Sequence, residues 1–126
     1  MYFRTRALAA VAFTLAFGGG ASFAQEKLLQ WRVSIQQTAG QSSTGCTGGM
    51  AWVREGNGKF GLWNNDNHIE LWTLAQSPDG AARGTAYSSY SKSTLRLDIA
   101  GPVGPREFEI VNETKACRFK VTPLKN

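Results

Sequence analysis

Two glycine-rich stretches have the spacing of nucleotide-binding loops. In GQSSTGCT, Gly40–Thr47, two glycines enclose four residues and a hydroxyl residue follows them, as in a phosphate-binding loop. That site also needs a lysine for the terminal phosphates and a helix that begins where the loop ends, but Cys46 stands in the place of the lysine. GNGKFG, Gly56–Gly61, joins two predicted strands and opens no helix. We interpret both stretches as loops between strands.

Acidic side chains near the only histidine are the next candidates for chemistry. Asp66, His68 and Glu70 alternate along one predicted strand face and could ligate a metal or transfer a proton. A catalytic zinc site has three protein ligands, and there is no second histidine, so an exposed polar face is the simpler interpretation. Glu107 and Glu109 each face a basic residue in the hairpin described below. We therefore predict no catalysis, no metal site and no cofactor.

The N-terminus has the order of a secretory signal peptide. Arg4 and Arg6 precede an apolar run, Ala7–Phe17, and small residues stand at Ser22 and Ala24. The run is shorter than the roughly 20 apolar residues that span a membrane. We predict removal of residues 1–24, export to the periplasm or the medium, and no transmembrane segment.

The mature chain, residues 25–126, is expected to form one domain and to remain a monomer. It would keep 12 basic and 9 acidic side chains, a formal charge of +3. Such a mild charge does not indicate nucleic-acid binding. Two cysteines in an exported chain predict one disulfide, Cys46–Cys117. A bridge closing a loop of about 72 residues stabilises the fold by about 4 kcal/mol in the chain-entropy model.

Turn signals and alternating apolar residues predict an all-β chain. They favour a small antiparallel up-and-down β-barrel of about eight strands, whose general pattern is similar to that of calycin-type exported barrels. A β-sandwich is the second choice. Trp31 shares its strand face with other apolar residues, which predicts a place in the core. The predicted strands include Leu29–Ile35, Ala51–Val53, Lys59–Trp63, Ile69–Leu74, Ala82–Tyr87, Leu95–Ile99, Phe108–Ile110 and Cys117–Val121.

The last predicted hairpin has a specific register. A two-residue loop at Glu113 and Thr114 places apolar residues opposite apolar residues and acids opposite bases, as stable cross-strand pairs require. The predicted opposite pairs are Glu107 with Lys120, Phe108 with Phe119, Glu109 with Arg118, and Ile110 with Cys117.

Basic residues are expected on one outer face if the first and last strands pair. Arg32, Arg118 and Lys120 would then lie together. That face either meets an anionic envelope polysaccharide or is neutralised by Glu107 and Glu109.

The loops sort into two ends, because alternate loops of a meander lie at the same end. One end has tight Gly/Pro turns, whereas the other has longer polar loops, aromatic residues and both cysteines. Tyrosine and serine are common in binding loops, where they supply rigid contacts and adaptable hydrogen bonds. The candidate ligand-binding residues at this end are Ser42, Ser43, Thr44, Trp63, Asn64, Asn65, Asp66, Tyr87 and Tyr90.

These features predict a non-catalytic, secreted or periplasmic binding or interaction module. Its partner would be a small molecule, a glycan or another exported protein at the polar loop end. The alternative is an inhibitor of an exported hydrolase, such as a lysozyme or a protease. A ligand binder should have an open cavity behind its mouth, whereas an inhibitor should present an ordered, exposed loop.

Overall fold

A computed structural model describes residues 28–40 and 46–125, and its strands number eight, as predicted. The predicted signal peptide and the loop residues Ser42, Ser43 and Thr44 lie outside the described residues. Within the described part no helix is present, and so none that could cross a membrane. The strands are β1 Leu29–Ala39, β2 Gly49–Gly56, β3 Lys59–Asn64, β4 Glu70–Ala75, β5 Ala82–Ser88, β6 Ser93–Ile99, β7 Phe108–Asn112 and β8 Cys117–Pro123.

All eight strands belong to one antiparallel sheet in the order β4-β3-β2-β1-β8-β7-β6-β5. The first and last strands pair, from Val33 opposite Pro123 to Ala39 opposite Arg118. β4 and β5 are the two ends of this order, so the sheet is a nearly closed barrel with its seam between them. The predicted up-and-down barrel is confirmed, and the sandwich is not.

The barrel interior follows from the alternation of side chains along each strand. On β1, Trp31 and Val33 are buried, and Trp31 is only 7% exposed, so its predicted place in the core is confirmed. Phe60 is fully buried, with its ring 6.1 Å from that of Trp72 and 5.4 Å from that of Phe108. Aromatic residues therefore fill much of the middle of the barrel.

The predicted register of the last hairpin is wrong by two residues. Asn112 lies opposite Cys117, and Ile110 lies opposite Phe119. The loop contains four residues because the Asn112 side chain accepts a hydrogen bond from the backbone N–H of Lys115 at 2.9 Å. Ala116 completes the turn with a φ of 55°. The hydrogen bond within the turn therefore favours a four-residue loop over the predicted two-residue loop.

The predicted ion pairs form nevertheless, because a shift of two residues leaves every side chain on its original face. Arg118 lies 3.6 Å from Glu109, and Lys120 lies 3.4 Å from Glu107. Both pairs are exposed, and such pairs contribute about 1 kcal/mol or less. The ladder of acids and bases on this outer face is therefore confirmed.

A buried carboxylate organises the end of the barrel that carries the tight turns. The side chain of Glu55 has no exposed surface. Its Oε2 accepts hydrogen bonds from Trp31 Nε1 at 2.7 Å, from the N–H of Gly104 at 3.0 Å and from Arg106 Nη1 at 3.0 Å. Its Oε1 accepts one from Gln76 Nε2 at 2.9 Å. One side chain thus joins β1 and two loops at this end.

Arg106 extends this network to the neighbouring backbone. Its Nη1 donates to the carbonyl of Gly104 at 2.6 Å, and its Nη2 donates to that of Gly80 at 3.0 Å. Its guanidinium carbon lies 5.3 Å from the centre of the Phe60 ring, at the floor of the core. The ion pair therefore covers this end of the barrel.

The ionisation of Glu55 reflects two opposing effects. Burial opposes the charged form, but the hydrogen bonds from Arg106, Trp31, Gln76 and Gly104 outweigh it and lower the pKa of Glu55. A carboxyl whose pKa is lowered by folding contributes stability above its unfolded pKa of about 4.3. That contribution is lost as the pH falls through the lower folded pKa.

We expect Glu55→Gln to lower the free energy of unfolding by about 3 kcal/mol at pH 7, because it leaves Arg106 without its buried partner. Urea denaturation measures the change, and Glu109→Gln is the control, since exposed pairs contribute about 1 kcal/mol or less. The difference between wild type and Glu55→Gln should shrink below about pH 4. A difference that stayed constant from pH 7 to pH 3 would contradict this account.

Candidate functional site

The opposite end of the barrel opens into a cavity of about 260 Å³. Its floor consists of apolar side chains from five strands, and its rim consists mainly of polar residues near the loops. No acidic side chain lines it among the described residues. The floor is formed by Ile35, Leu71, Trp72, Leu95, Ile110 and Phe119, and the rest of the lining by Cys46, Thr47, Ser88, Tyr90, Ser91, Asn112 and Lys115.

Buried polar side chains hold the rim in place. Ser88, Ser93 and Asn112 are all buried at inward positions near the ends of their strands. Ser88 Oγ accepts a hydrogen bond from the N–H of Ser91 at 3.2 Å, and Ser93 Oγ donates to the carbonyl of Ser91 at 3.0 Å. The backbone of Ser91 is thus fixed on both sides, so hydrogen bonds within the chain hold this part of the rim in place.

The predicted disulfide is present and forms part of this end. Cys46 and Cys117 are bonded, with their Cα atoms 6.6 Å apart. Gly40 packs against the same point, because a Cβ there would lie only 2.6 Å from the Cβ of Cys117. Its φ of 98° also favours glycine. The chain is therefore attached to the start of β8 both at the end of β1 and just before β2.

The structure separates the aromatic residues that the sequence grouped at this end. Tyr90 lines the cavity and is 66% exposed, so a ligand can reach it. Tyr87 lies outside the lining on the outer face of β5, 63% exposed and opposite Thr94. Trp63 lies on the outer face of β3, half-buried and opposite Trp52. Of these three, only Tyr90 is at the cavity.

The loop after β3 is held by its own asparagine. Asn64 Oδ1 accepts hydrogen bonds from the N–H of Asp66 at 2.8 Å and from that of Asn67 at 3.2 Å. This Asx-type turn engages the side-chain oxygen of Asn64 in local structure. Asn65 is half-buried and Asp66 is exposed, and neither lines the cavity.

The predicted strand face of Asp66, His68 and Glu70 does not form. β4 begins at Glu70, so Asp66 and His68 lie in the preceding loop. His68 has a φ of 56° and stacks on Trp52, with the ring centres 6.2 Å apart. Within the described part of the chain, no three His, Cys, Asp or Glu side chains come together as metal ligands would.

Sequence reasoning missed the polar residues that line the cavity. Ser88 and Asn112 interrupt strands whose other inward positions are apolar, such as Ala86 and Ile110. A polar residue at an inward position near a strand end marks where the core stops and the mouth begins. Lys115 gave no such signal, because its position depends on the four-residue loop that the register prediction did not include.

The rim of the cavity carries a positive charge. Lys115 is the only charged residue among the described residues that line the cavity, and no salt bridge to it is found in that part of the chain. Hydroxyls of Tyr90 and Ser91 lie on the same lining. The cavity therefore offers an apolar interior and a cationic, hydroxyl-bearing rim.

Fold and site together define a small, disulfide-stapled antiparallel β-barrel with an apolar cavity at the disulfide end and the Glu55–Arg106 ion pair at the other end. Comparison with protein-family models, with curated proteins and with solved structures found no match to this chain. The function must therefore be argued from the side chains themselves.

We expect replacement of both cysteines, Cys46→Ser with Cys117→Ser, to lower the free energy of unfolding by about 4 kcal/mol. The bridge spans a sequence separation of 71 residues, so its loss gives the unfolded chain much more freedom. Urea denaturation of the oxidised wild type and the variant measures the change. Reduced wild type is the control and should behave like the variant; equal midpoints for oxidised and reduced protein would contradict the prediction.

Proposed function

We propose that this protein is a non-catalytic, exported binding module whose ligand enters the open end of the barrel. The cavity of about 260 Å³ behind the polar rim carries this proposal. Ligand pockets are typically concave, mostly apolar and equipped with a few well-placed polar groups, and this cavity has those properties. The N-terminal pattern and the disulfide support export.

The lining favours a small amphipathic ligand. Cavities for drug-sized molecules occupy roughly 300–1,000 Å³, so this one suits a smaller molecule. Its apolar body would contact Trp72, Leu95 and Phe119, where burial of apolar surface supplies the free energy of binding. A carboxylate or another anionic head would lie at the rim, near Lys115 and the hydroxyl of Ser91.

Octanoate and 1-octanol are suitable probes, because they share an apolar chain and differ in the charge of the head. We expect both to bind in calorimetric titrations, with octanoate the tighter ligand. Ser91→Trp should block the cavity and abolish both titrations, whereas Ser89→Trp, an exposed position in the same loop outside the lining, should not. Loss of binding in both tryptophan variants, or no binding to wild type, would contradict a ligand in the cavity.

The role of Lys115 is tested by Lys115→Gln. The variant should bring the affinity for octanoate to that for octanol, a change of about fivefold or less, because exposed ion pairs contribute about 1 kcal/mol or less. An unchanged preference for octanoate would assign the head to another part of the rim.

Native mass spectrometry of the protein from its exporting host distinguishes the kinds of partner. An added small mass that Ser91→Trp eliminates supports the cavity. A stoichiometric protein partner that persists in Ser91→Trp would instead favour the inhibitor of an exported hydrolase.

A further inference from the structure

The outer face of β1, β2 and β3 brings two arginines and two tryptophans together. Trp52 lies opposite Trp63 across β2 and β3, and Arg32 lies opposite Trp52 across β1 and β2. The guanidinium carbon of Arg32 is 5.5 Å from the centre of the Trp52 ring, and that of Arg54 is 4.8 Å from the centre of the Trp63 ring. We call these four residues the guanidinium–indole patch.

The arginines of the patch differ from the others that the structure describes. Four arginines form ion pairs with carboxylates, whereas Arg32 and Arg54 form none within residues 28–40 and 46–125. Arg118, which was expected beside Arg32, is neutralised by Glu109 instead. The patch thus holds two positive charges with no described carboxylate within salt-bridge distance. The four paired arginines are Arg83, Arg96, Arg106 and Arg118.

The two guanidinium groups differ in their hydrogen bonds. Arg54 Nε donates to Gln30 Oε1 at 2.8 Å, and Arg54 Nη2 donates to His68 Nδ1 at 3.1 Å. The Nε of Arg32 is buried and has no acceptor among the described residues. An unsatisfied buried donor is costly, so an anion that drew Arg32 slightly outward would be favoured.

The stacking also indicates what kind of group the patch recognises. A guanidinium that lies over an indole uses its face for the ring and keeps its edges for hydrogen bonds to acceptors such as a carboxylate. In Arg54, Nε and Nη2 already donate to Gln30 and His68, so an anion would approach from the side of Nη1. Because both indoles already carry a guanidinium, stacking of a neutral ligand on the rings is less favoured than recognition of an oxyanion. Glu70, the nearby acid opposite Trp63, accepts a hydrogen bond from the Thr73 hydroxyl.

The surroundings of the patch favour a ligand with many hydroxyls. Amide and hydroxyl side chains occupy the alternate positions Gln30, Ser34 and Gln36 of β1, beside Arg32, and Thr122 lies opposite Ser34. Such groups can hydrogen-bond to sugar hydroxyls in either direction.

We propose that the guanidinium–indole patch binds an acidic polysaccharide. Its carboxylates pair with Arg32 and Arg54, and its hydroxyls bond to the polar side chains along β1. This site lies on the outside of the barrel and does not depend on the cavity. Exposed Met50 and Ile69 lie close by along the chain, so an acidic protein surface is the competing outcome.

Three polymers of similar length serve as probes for the oxidised protein: an oligogalacturonate, a neutral galactose oligosaccharide and poly-L-glutamate. We expect oligogalacturonate to bind with an affinity that falls as salt rises, the neutral oligosaccharide not to bind, and poly-L-glutamate to bind at least tenfold more weakly. The double variant Arg32→Gln with Arg54→Gln should weaken binding of oligogalacturonate at least tenfold.

Arg83→Gln is the matched control. It removes the same kind of charge from an exposed arginine, but Arg83 lies on β5 and is paired with Asp98. The affinity for oligogalacturonate should change less than twofold in Arg83→Gln. Thermal unfolding of each variant verifies that it is folded.

The proposal is overturned if oligogalacturonate does not bind. It is also overturned if Arg83→Gln lowers the affinity for oligogalacturonate as much, per arginine removed, as the double variant does. Equal affinity for poly-L-glutamate and oligogalacturonate would also overturn it, because the patch would then recognise carboxylates alone, as an acidic protein surface presents them.

Gly61→Ala gives a further readout, since a Cβ at Gly61 would collide with the Trp63 ring. That variant should shift tryptophan emission and weaken binding of oligogalacturonate at least threefold; unchanged affinity despite a shifted emission would contradict a role for Trp63.

Discussion

The fold depends on the buried carboxylate of Glu55, whose charge is stable only because hydrogen-bond donors surround it. Glu55 is fully buried, and a buried carboxylate is tolerated only where partners satisfy both of its oxygens. Those partners come from β1, from the loop after β4 and from the loop after β6, as Trp31, Gln76 and Arg106 respectively. Most other contacts of an up-and-down barrel join strands that are neighbours in the chain. The Glu55 network instead requires distant parts of the chain to be in place at once.

The two ends of the barrel are built differently. At the Glu55 end, charged and backbone groups cover the core, and Arg106 reaches the carbonyl of Gly80 beside the seam between β4 and β5. At the open end, the disulfide and the hydrogen bonds around Ser91 hold the rim apart from the apolar floor. The described residues around this mouth are held by polar and covalent contacts, which do not require apolar side chains to fill it.

Local patterns were sufficient to predict the strands, the order of the sheet, the disulfide and the outer ladder of acids and bases. They missed the burial of a charged residue whose partners lie far along the chain. Glu55 continues the inward alternation of Ala51 and Val53, but its charge opposed a prediction of burial, and its partners Trp31 and Arg106 lie 24 and 51 residues away. The hairpin register failed for a local reason, since the Asn112 side chain selected a longer turn. For the candidate site, the polar loop end carries a cavity, but of the predicted residues that the structure describes only Tyr90 lines it, because alternate positions of one strand face opposite sides.

That same alternation makes β1 the element that the two proposed sites share. Trp31 and Val33 point into the core, whereas Arg32 between them lies on the outer face beside Trp52. Because successive side chains of a strand point to opposite faces, the outer residues can vary without changing the packing of the core. The cavity and the guanidinium–indole patch lie on opposite sides of one sheet and share no residue. A ligand at one site would influence the other through the backbone, either along β1 or across the ladder in which Leu62 of β3 pairs with Trp72 of β4. Any coupling between the two sites must therefore pass through backbone hydrogen bonds, and one small barrel has room for both sites.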